Sequence, residues 1–166
     1  WEYYVSRFCA AEKISFDIEC ATGSDGWFLI CCGFADASNH AVVFDCTVPG
    51  ALEVVRRICE GPAKKIGQNG QFDISFLASK GVGVSNFWFD TMYAQHCCYP
   101  ELPKGLDFLA SIHTREPYYK EERKLVGQAE SHQQTLAYNG KDAAVTFEVM
   151  EKQCDEMDEM NVWEIF

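Results

Sequence analysis

The sequence predicts an α/β fold in which helices flank a mixed central sheet. Three strand patterns follow one another near the start of the chain, with only short turn clusters between them. Helix and strand patterns then alternate through the rest of the chain. Because strands joined by short turns pair antiparallel and strands separated by helices pair parallel, we expect one sheet that is partly antiparallel.

Length and composition place these elements in a single domain. The chain has 166 residues, of which 48% are apolar, enough to bury a core and above the apolar content of disordered proteins. It contains no apolar run of membrane-spanning length and no signal-peptide pattern at its start. The chain opens on Trp1 rather than on Met, which is compatible with a piece excised from a longer protein.

The cysteines indicate the cellular compartment, and the net charge limits the kinds of partner that the chain can bind. Nine cysteines are scattered along the chain, without the Cys and His spacing of zinc sites. Most lie in apolar surroundings, so we expect buried, reduced thiols in a cytoplasmic compartment. The net charge of −11 argues against a broad phosphate-binding surface. It allows a metal site, because bound ions reverse the local sign of the charge.

The strands in the first half are predicted from β-branched and aromatic runs bounded by turn clusters. Thr47 is interpreted as the N-cap of a helix that carries Val55 and Cys59 on helical spacing. Lys64 and Lys65 open the next strand and are interpreted as a solvated pair. In chain order we expect a strand-like lead-in at 3–5, strands over 14–20, 27–35 and 40–45, a helix over 48–59, a strand over 64–68 and a helix over 71–79.

The second half is predicted to be mostly helical. A short apolar strand over 87–89 precedes Asp90, which we interpret as the N-cap of the next helix rather than as a metal ligand. Pro100 and Pro103 end that helix, another spans 106–112, and residues 113–128 form a polar loop. The last helix runs over 132–159, with apolar or small residues on one continuous face at positions 136, 140, 143, 147, 150 and 154.

The stretch Ile14-Ser-Phe-Asp-Ile-Glu-Cys20 carries two carboxylates on a predicted core strand. Side chains alternate along a strand, so Asp17 and Glu19 share one face while Phe16 and Ile18 pack on the other. Adjacent like charges repel and lose hydration unless a cation lies between them. Since hard oxygen ligands suit Mg²⁺ or Mn²⁺, the pattern predicts a divalent metal site, with a solvated edge strand as the alternative.

Two further pairs of polar residues stand in positions that suit the same chemistry. Asn69 and Asp73 are four residues apart where a strand ends and a helix starts, the place where α/β sheets present ligand groups. Tyr138 and Asp142 are also four apart and share a face of the last helix, offset from its apolar stripe. Taken alone, the first pair is more typical of helix capping and the second of ordinary helix surface.

Together, in this order along the chain, the three segments resemble the motifs of the DEDDy branch of the 3′–5′ exonuclease superfamily, which has an RNase H-like fold. The resemblance is greatest to the proofreading exonuclease domain of family A, polymerase I-like DNA polymerases, particularly bacterial or phage forms. It extends over about residues 10–155. The motifs stand here as Phe16-Asp-Ile-Glu19, Asn69-Gly-Gln-Phe-Asp73 and Tyr138-Asn-Gly-Lys-Asp-Ala-Ala-Val145.

The resemblance implies a catalytic role for five residues. Asp17, Glu19 and Asp142 would hold one of two divalent metal ions, Mg²⁺ or Mn²⁺, and Asp17 would bridge to the second ion. Asp73 would assist as a metal ligand through the water shell of that second ion, and Tyr138 would orient the attacking water. Phosphoryl displacement assisted by two metals needs several converging carboxylates and no protein nucleophile, which agrees with these residue types.

The resemblance also implies a substrate and a partner domain. Asn69 and Phe72 would contact the terminal nucleotides. The implied activity is metal-dependent removal of nucleoside monophosphates from single-stranded or frayed 3′ ends of DNA, in proofreading, with a polymerase domain in the same parent chain. One alternative is an RNase D-like or Werner-type exonuclease that uses the same five residues on RNA. Another is a catalytically silent exonuclease-like scaffold or nucleic-acid-binding module, which the presence of every motif acid disfavours.

Overall fold

The fold is organised around a five-stranded mixed sheet. The computed structural model describes residues 1–116 and 132–166. The strands are β1 (Lys13–Gly23), β2 (Gly26–Ala37), β3 (His40–Asp45), β4 (Lys64–Gly67) and β5 (Phe87–Asp90). Their order across the sheet is β3-β2-β1-β4-β5, in which β1–β2 and β2–β3 are antiparallel and β1–β4 and β4–β5 are parallel. The predicted α/β fold with a partly antiparallel sheet is confirmed.

Helices cover both faces of this sheet. Within the described residues they are α1 (Glu2–Ala10), α2 (Ala51–Cys59), α3 (Gly70–Ser79), α4 (Thr91–Cys98), α5 (Leu106–His113) and α6 (His132–Met160), followed by a short 3₁₀ helix at Trp163–Ile165. Helices α1, α2 and α3 share a core with Phe16 and Phe34 on one face of the sheet. On the other face, α4 and α6 share a core with Ile66 and Phe89, and α5 packs against α6.

The central strand β1 divides its side chains between these two layers, as predicted. Ile14, Phe16 and Ile18 are buried in the core with α1, α2 and α3. Ser15 points to the other face, where its hydroxyl donates to the carbonyl oxygen of Ala143 in α6 at 2.6 Å. Because side chains two apart on a strand share a face, Asp17 and Glu19 also face α6.

The start of the chain is a helix, so the strand-like segment predicted at Tyr3-Tyr4-Val5 is wrong. Helix α1 buries Val5 and Phe8, three residues apart, in the core with α2 and β2. This spacing fits one face of a helix rather than the alternation of a strand. The ring centroid of Phe8 lies 5.7 Å from that of Phe34. Burial of these side chains outweighs the local β preference of the tyrosines.

Helix α2 begins at Ala51, and the predicted capping role of Thr47 is wrong. Gly50 occupies the N-cap position with φ of 90°, in the left-handed region that glycine tolerates. The Thr47 hydroxyl instead donates to Asp45 Oδ1 at 2.6 Å. Since the residue before a proline is disfavoured in the helical conformation, Pro49 delays the start of the helix.

Lys65 is fully buried, so the prediction of a solvated lysine pair is wrong for its second member. The Nζ atom donates to the carbonyl oxygens of Gly61 and Ala63, both at 2.8 Å, and of Ser85 at 3.3 Å. A buried ammonium is tolerated where its donors are satisfied in this way. Lys64 is exposed, as predicted.

Helix α6 buries more of its surface than the apolar stripe predicted from the sequence. Ala143, Phe147 and Met150 of that stripe lie in the core, whereas positions 136, 140 and 154 are only half-buried. Polar residues such as Asn139 and Gln153 are fully buried as well. The helix packs against the sheet and also against α4 and α5, so several of its sides are covered.

Two expectations concern the rest of the chain. Among residues 1–116 and 132–166, no helix is long and apolar enough to cross a membrane. The polar loop predicted over 113–128 falls mostly on residues 117–131, which lie outside the described residues.

Candidate active site

Two of the predicted acids, Asp17 and Glu19, project from β1 toward α6. They alternate with Phe16 and Ile18, which are buried on the opposite face. Asp17 pairs with Gly33 of β2, and the register of the two strands shifts immediately after Glu19. Such a bulge bends a strand and re-aims its side chains. Both carboxylates line a cleft with a volume of about 580 Å³.

Helix α6 brings Tyr138 and Asp142 to the same cleft. The two residues lie one helical turn apart and are only 4% and 8% exposed. One carboxylate oxygen from each of Asp17, Glu19 and Asp142 lies within 4.8 Å of the other two. Two acids of β1 and one of α6, which are far apart in the sequence, therefore form one cluster that could hold a metal ion.

Asp73 adds a fourth acid from a third element. It lies in the first turn of α3, directly after the end of β4, and is 6% exposed. Burial, together with the charges of Glu19 and Asp90, raises the pKa of Asp73 to about 8. Its side chain lines the same cleft as the other three predicted acids.

Asp17 lies close enough to the other three acids to be affected by the charge of each. Burial is the main cause that raises the pKa of Asp17 well above its usual range, and the charges of Asp73, Asp142 and Glu19 add to the effect. A divalent cation between such carboxylates favours their ionised forms. Because the donors are all carboxylate oxygens, the cluster fits a hard ion such as Mg²⁺ or Mn²⁺.

Asn139 is a residue of this site that sequence reasoning missed. It is fully buried, and its Nδ2 donates to Asp17 Oδ2 at 2.7 Å. This hydrogen bond lowers the pKa of Asp17 and so opposes the effect of burial. A signal was present in the sequence, since Asn139 follows Tyr138 and stands three residues before Asp142, on the same side of the helix.

Asp90 is a helix N-cap, as predicted, but it binds the starts of two helices. At the start of α4, Asp90 Oδ1 accepts from the backbone N–H of Met92 at 2.9 Å. The same oxygen accepts from the N–H of Asn69 at 3.0 Å, and Oδ2 accepts from the N–H of Gly70 at 2.8 Å. Asp90 therefore ties α4 to the start of α3, the helix that carries Asp73.

Asn69 and Phe72, the predicted substrate contacts, line the cleft beside the acids. Asn69 stands at the N-cap position of α3, but its side chain makes no capping hydrogen bond, so the capping interpretation is wrong. Trp27 opens the strand predicted over 27–35, an apolar run that suits a buried strand, but is 57% exposed. The cleft is also lined by residues that were not predicted, among them Trp27, Gln68, Met92, Lys104 and Leu106.

The sequence that builds this cleft matches a known family over nearly its whole length. Residues 1–158 match the family model described as 3′-5′ exonuclease. The chain belongs to the 3′–5′ exonuclease family. It is a hydrolytic exonuclease, and its family uses divalent metal ions, which the carboxylate cluster suits. No curated protein matches the exonuclease.

Solved structures share the RNase H-like fold of the exonuclease. The catalytic core of RRP6 from Trypanosoma brucei has a TM-score of 0.77 and 17% identity, over 97% of this chain and 45% of that chain. Escherichia coli RNase D has a TM-score of 0.70 and 17% identity, over 96% of this chain and 43% of that chain. Pol1 from M. smegmatis has a TM-score of 0.70 and 13% identity, over 96% of this chain and 26% of that chain. The exonuclease thus spans less than half the length of each of these chains.

Proposed function

We propose that the exonuclease hydrolyses the terminal phosphodiester of single-stranded or frayed DNA 3′ ends and releases nucleoside monophosphates. The observation that carries the proposal is the convergence of acids from β1, α3 and α6 in one cleft, where one oxygen from each of three acids lies within 4.8 Å of the other two. Buried charges of one sign are costly without a counterion. A metal-dependent reaction explains why four acids, two of them buried, stand together in the cleft.

The acids are assigned to two divalent ions, Mg²⁺ or Mn²⁺. Asp17, Glu19 and Asp142 are proposed to hold the first ion, and Asp17 to bridge to the second. Asp73 is proposed to act through the water shell of the second ion. Ions held by these residues would activate water and stabilise the attacking and leaving oxygens of an in-line displacement. The hydrogen bond of 2.7 Å from Asn139 orients Asp17 for this role.

Tyr138 is proposed to orient the attacking water. Its side chain is 4% exposed and lines the cleft together with Asp142. A phenol can both donate and accept a hydrogen bond, which suits a group that positions water without reacting itself. Asn69 and Phe72 are proposed to contact the terminal nucleotide from the start of α3.

DNA is proposed as the substrate because the motif segments resemble those of polymerase I-like enzymes. Proofreading further requires a polymerase domain in the parent chain. The structure of Pol1 with a DNA primer-template, of which this chain covers 26%, supports that possibility. RNA is the second candidate substrate, because the structurally similar RNase D is described as an exoribonuclease involved in structured RNA processing.

The test is digestion of end-labelled single-stranded DNA and RNA of one sequence, with Mg²⁺, Mn²⁺ or a chelator. We expect stepwise shortening from the 3′ end only when a divalent ion is present, and faster shortening of DNA than of RNA. Asp142→Asn should abolish cleavage, because it removes one charge of the cluster at nearly constant size. Asp155→Asn, at an exposed position of the same helix, is the matched control.

Each outcome separates the candidates. If RNA were shortened faster than DNA, the proposed role would be RNA processing rather than proofreading. If the protein bound both nucleic acids but cleaved neither with Mg²⁺ or Mn²⁺, the result would contradict the enzymatic proposal and leave a scaffold role. A folded Asp142→Asn variant that cleaves like the parent would overturn the assignment of the metal ligands.

Tyr138→Phe tests the orientation of water separately from metal binding. We expect slower cleavage at saturating substrate and an unchanged Mn²⁺ affinity by calorimetry, since only the hydroxyl is removed. If Tyr138→Phe cleaved as fast as the parent, Tyr138 would have no part in the reaction.

A further inference from the structure

A row of aromatic side chains, exposed at Trp27 and Phe72 and half-buried at Phe76, leads away from the acids and ends at Lys80. We call it the aromatic ridge, and it comprises Trp27, Phe72, Phe76 and Lys80. Trp27 and Phe72 are 57% and 52% exposed. Large apolar side chains so exposed in neighbouring positions are typical of a binding surface.

Helix α3 supplies Phe72 and Phe76 on one of its sides, and Lys80 directly follows its last residue. Phe72, Phe76 and Lys80 are spaced by four residues, which stacks them one turn above another. The rings of Phe72 and Phe76 have centroids 6.2 Å apart and planes inclined by 26°. The Nζ atom of Lys80 lies 5.3 Å from the centroid of the Phe76 ring. The ridge therefore starts one residue before Asp73 and ends at a positive charge.

Trp27 is held beside this side of α3 by a hydrogen bond. Lys80 Nζ donates to the backbone oxygen of Trp27 at 2.7 Å, which ties the β1–β2 hairpin to the end of α3. Trp27 and Phe72 both line the cleft that contains the four acids. The aromatic ridge is thus continuous with the candidate active site.

We propose that the aromatic ridge binds the single-stranded nucleic acid that lies upstream of the nucleotide being removed. Phe72 lies at the boundary with the terminal nucleotide, the upstream bases stack on the rings of Trp27 and Phe76, and Lys80 contacts a phosphate. Stacking on aromatic rings tolerates any base sequence, as an exonuclease that removes one nucleotide after another requires. It also supplies affinity that a protein with a net charge of −11 cannot draw from a broad basic surface.

The occupant is inferred from continuity and from charge. Trp27 and Phe72 line the cleft that holds the acids, so a strand with its 3′ end at the acids can leave the cleft along this side of α3, which offers rings and a cation. An ammonium group has three N–H donors, of which the oxygen of Trp27 accepts one. A protein partner is the competing occupant, and the experiment below distinguishes the two.

The proposal rests on the exonuclease function proposed above, but binding can be measured without cleavage. The affinity of a fluorescent single-stranded octanucleotide is measured by anisotropy in the presence of a chelator. We expect Trp27→Ala and Phe76→Ala each to raise Kd about tenfold, the usual effect of losing one base–aromatic stack. Phe76→Leu keeps apolar bulk in the partly buried part of the site and should weaken binding as well, because it has no ring. Tyr3→Ala, which removes a 68% exposed aromatic from α1, should bind like the parent.

Lys80→Gln tests the charged end of the aromatic ridge. We expect it to lower the slope of log Kd against the logarithm of the salt concentration by the amount that corresponds to about one phosphate contact. Kd values equal to the parent's in Trp27→Ala and Phe76→Leu would overturn the proposal and leave the ridge as a protein-binding surface. Failure of the parent to cleave any substrate, with the ring variants still weakened in binding, would contradict the enzymatic proposal and leave the aromatic ridge standing.

Discussion

At the scale of single residues, Asp17 is held by two residues that do not themselves react. Gly33 pairs with Asp17 across the β1–β2 ladder. A Cβ atom at Gly33 would lie 2.6 Å from Oδ1 and 3.1 Å from the backbone oxygen of Asn139. The glycine thus leaves the space that Asn139 occupies. The orientation of the Asp17 carboxylate therefore depends on how closely α6 approaches β2.

We expect Asn139→Ala to weaken Mn²⁺ binding by about 10- to 100-fold, the usual effect of losing a hydrogen bond to a metal ligand. Without Nδ2, the ionised form of Asp17 loses a stabilising donor and its carboxylate can rotate. Isothermal titration calorimetry measures the affinity. Gln134→Ala, at an exposed position of the same helix, is the control. Equal Mn²⁺ affinity in Asn139→Ala and the parent would remove Asn139 from the site.

At the scale of elements, the position of α3 depends on its first residues. Asn69 has φ of 55°, in the left-handed region, where the chain turns from β4 into the helix. Gly70 packs under the ring of Phe87, where a Cβ atom would lie 2.6 Å from Cζ. Asp90 accepts hydrogen bonds from the N–H groups of both Asn69 and Gly70. These contacts set the direction in which Asp73 points.

The double role of Asp90 changes what its amide variant should do. If Asp90 capped only α4, Asn could replace it without loss of stability. An amide has only one acceptor oxygen, so Asp90→Asn turns an NH₂ group toward a buried backbone N–H. We expect a decrease of about 2 kcal/mol in the free energy of unfolding, from the unsatisfied donors. We also expect slower cleavage, because the start of α3 shifts with Asp73.

Urea unfolding measures the stability of the Asp90→Asn variant. Asp25→Asn, in the exposed turn between β1 and β2, is the control for an Asp-to-Asn change without buried contacts. A variant as stable as this control would show that one acceptor oxygen is enough at position 90.

At the scale of the whole molecule, the acid cluster links stability to pH. Burial and neighbouring charges raise the pKa of Asp17 and of Asp73, so the folded protein keeps these protons to higher pH than the unfolded chain. Unfolding then releases protons, and the free energy of unfolding falls as the pH rises from 3.8, the ordinary pKa of Asp73, to about 8. A divalent ion that binds only the folded state offsets this loss.

Thermal unfolding between about pH 5.5 and pH 8.5 tests this dependence within the range of these pKa shifts. With a chelator present, we expect Tm to fall as the pH rises, and we expect Mg²⁺ or Mn²⁺ to raise Tm most at the alkaline end. Asp73→Asn should flatten the fall in Tm, because Asn has no proton to release, whereas Asp155→Asn should keep it. Burial lowers the pKa of His113, and this shift makes the folded protein more stable as the pH rises. The prediction is therefore tested by the difference between the Tm-against-pH slopes of the variants and the parent. Equal slopes in Asp73→Asn and the parent would contradict the prediction.

Much of the fold and most of the acids could be predicted because they depend on local geometry. The alternation of side chains along a strand places Asp17 and Glu19 on one face of β1 whatever surrounds it. The helical repeat likewise places Tyr138 and Asp142 one turn apart on α6. Turn clusters marked the ends of the first three strands. The order of these motifs along the chain was then enough to predict a metal-dependent exonuclease.

Local patterns were misleading where the outcome depends on what packs against a residue. The tyrosines of α1 favour a strand locally, but burial of Phe8 against Phe34 requires a helix. The pattern around Lys65 is that of a solvated strand end, yet three backbone carbonyls surround its ammonium. Trp27 continues an apolar strand pattern, yet it lies exposed at the cleft.

The sequence by itself determined which acids could act, because the strand and helix periods are properties of the backbone. Only the tertiary structure decided how those acids are supported. Asn139 reaches Asp17 across 122 positions of the chain, and Asp90 reaches Gly70 across 20. Contacts of this kind arise from the packing of α6 on the sheet and from the parallel pairing of β4 with β5, which no local period encodes.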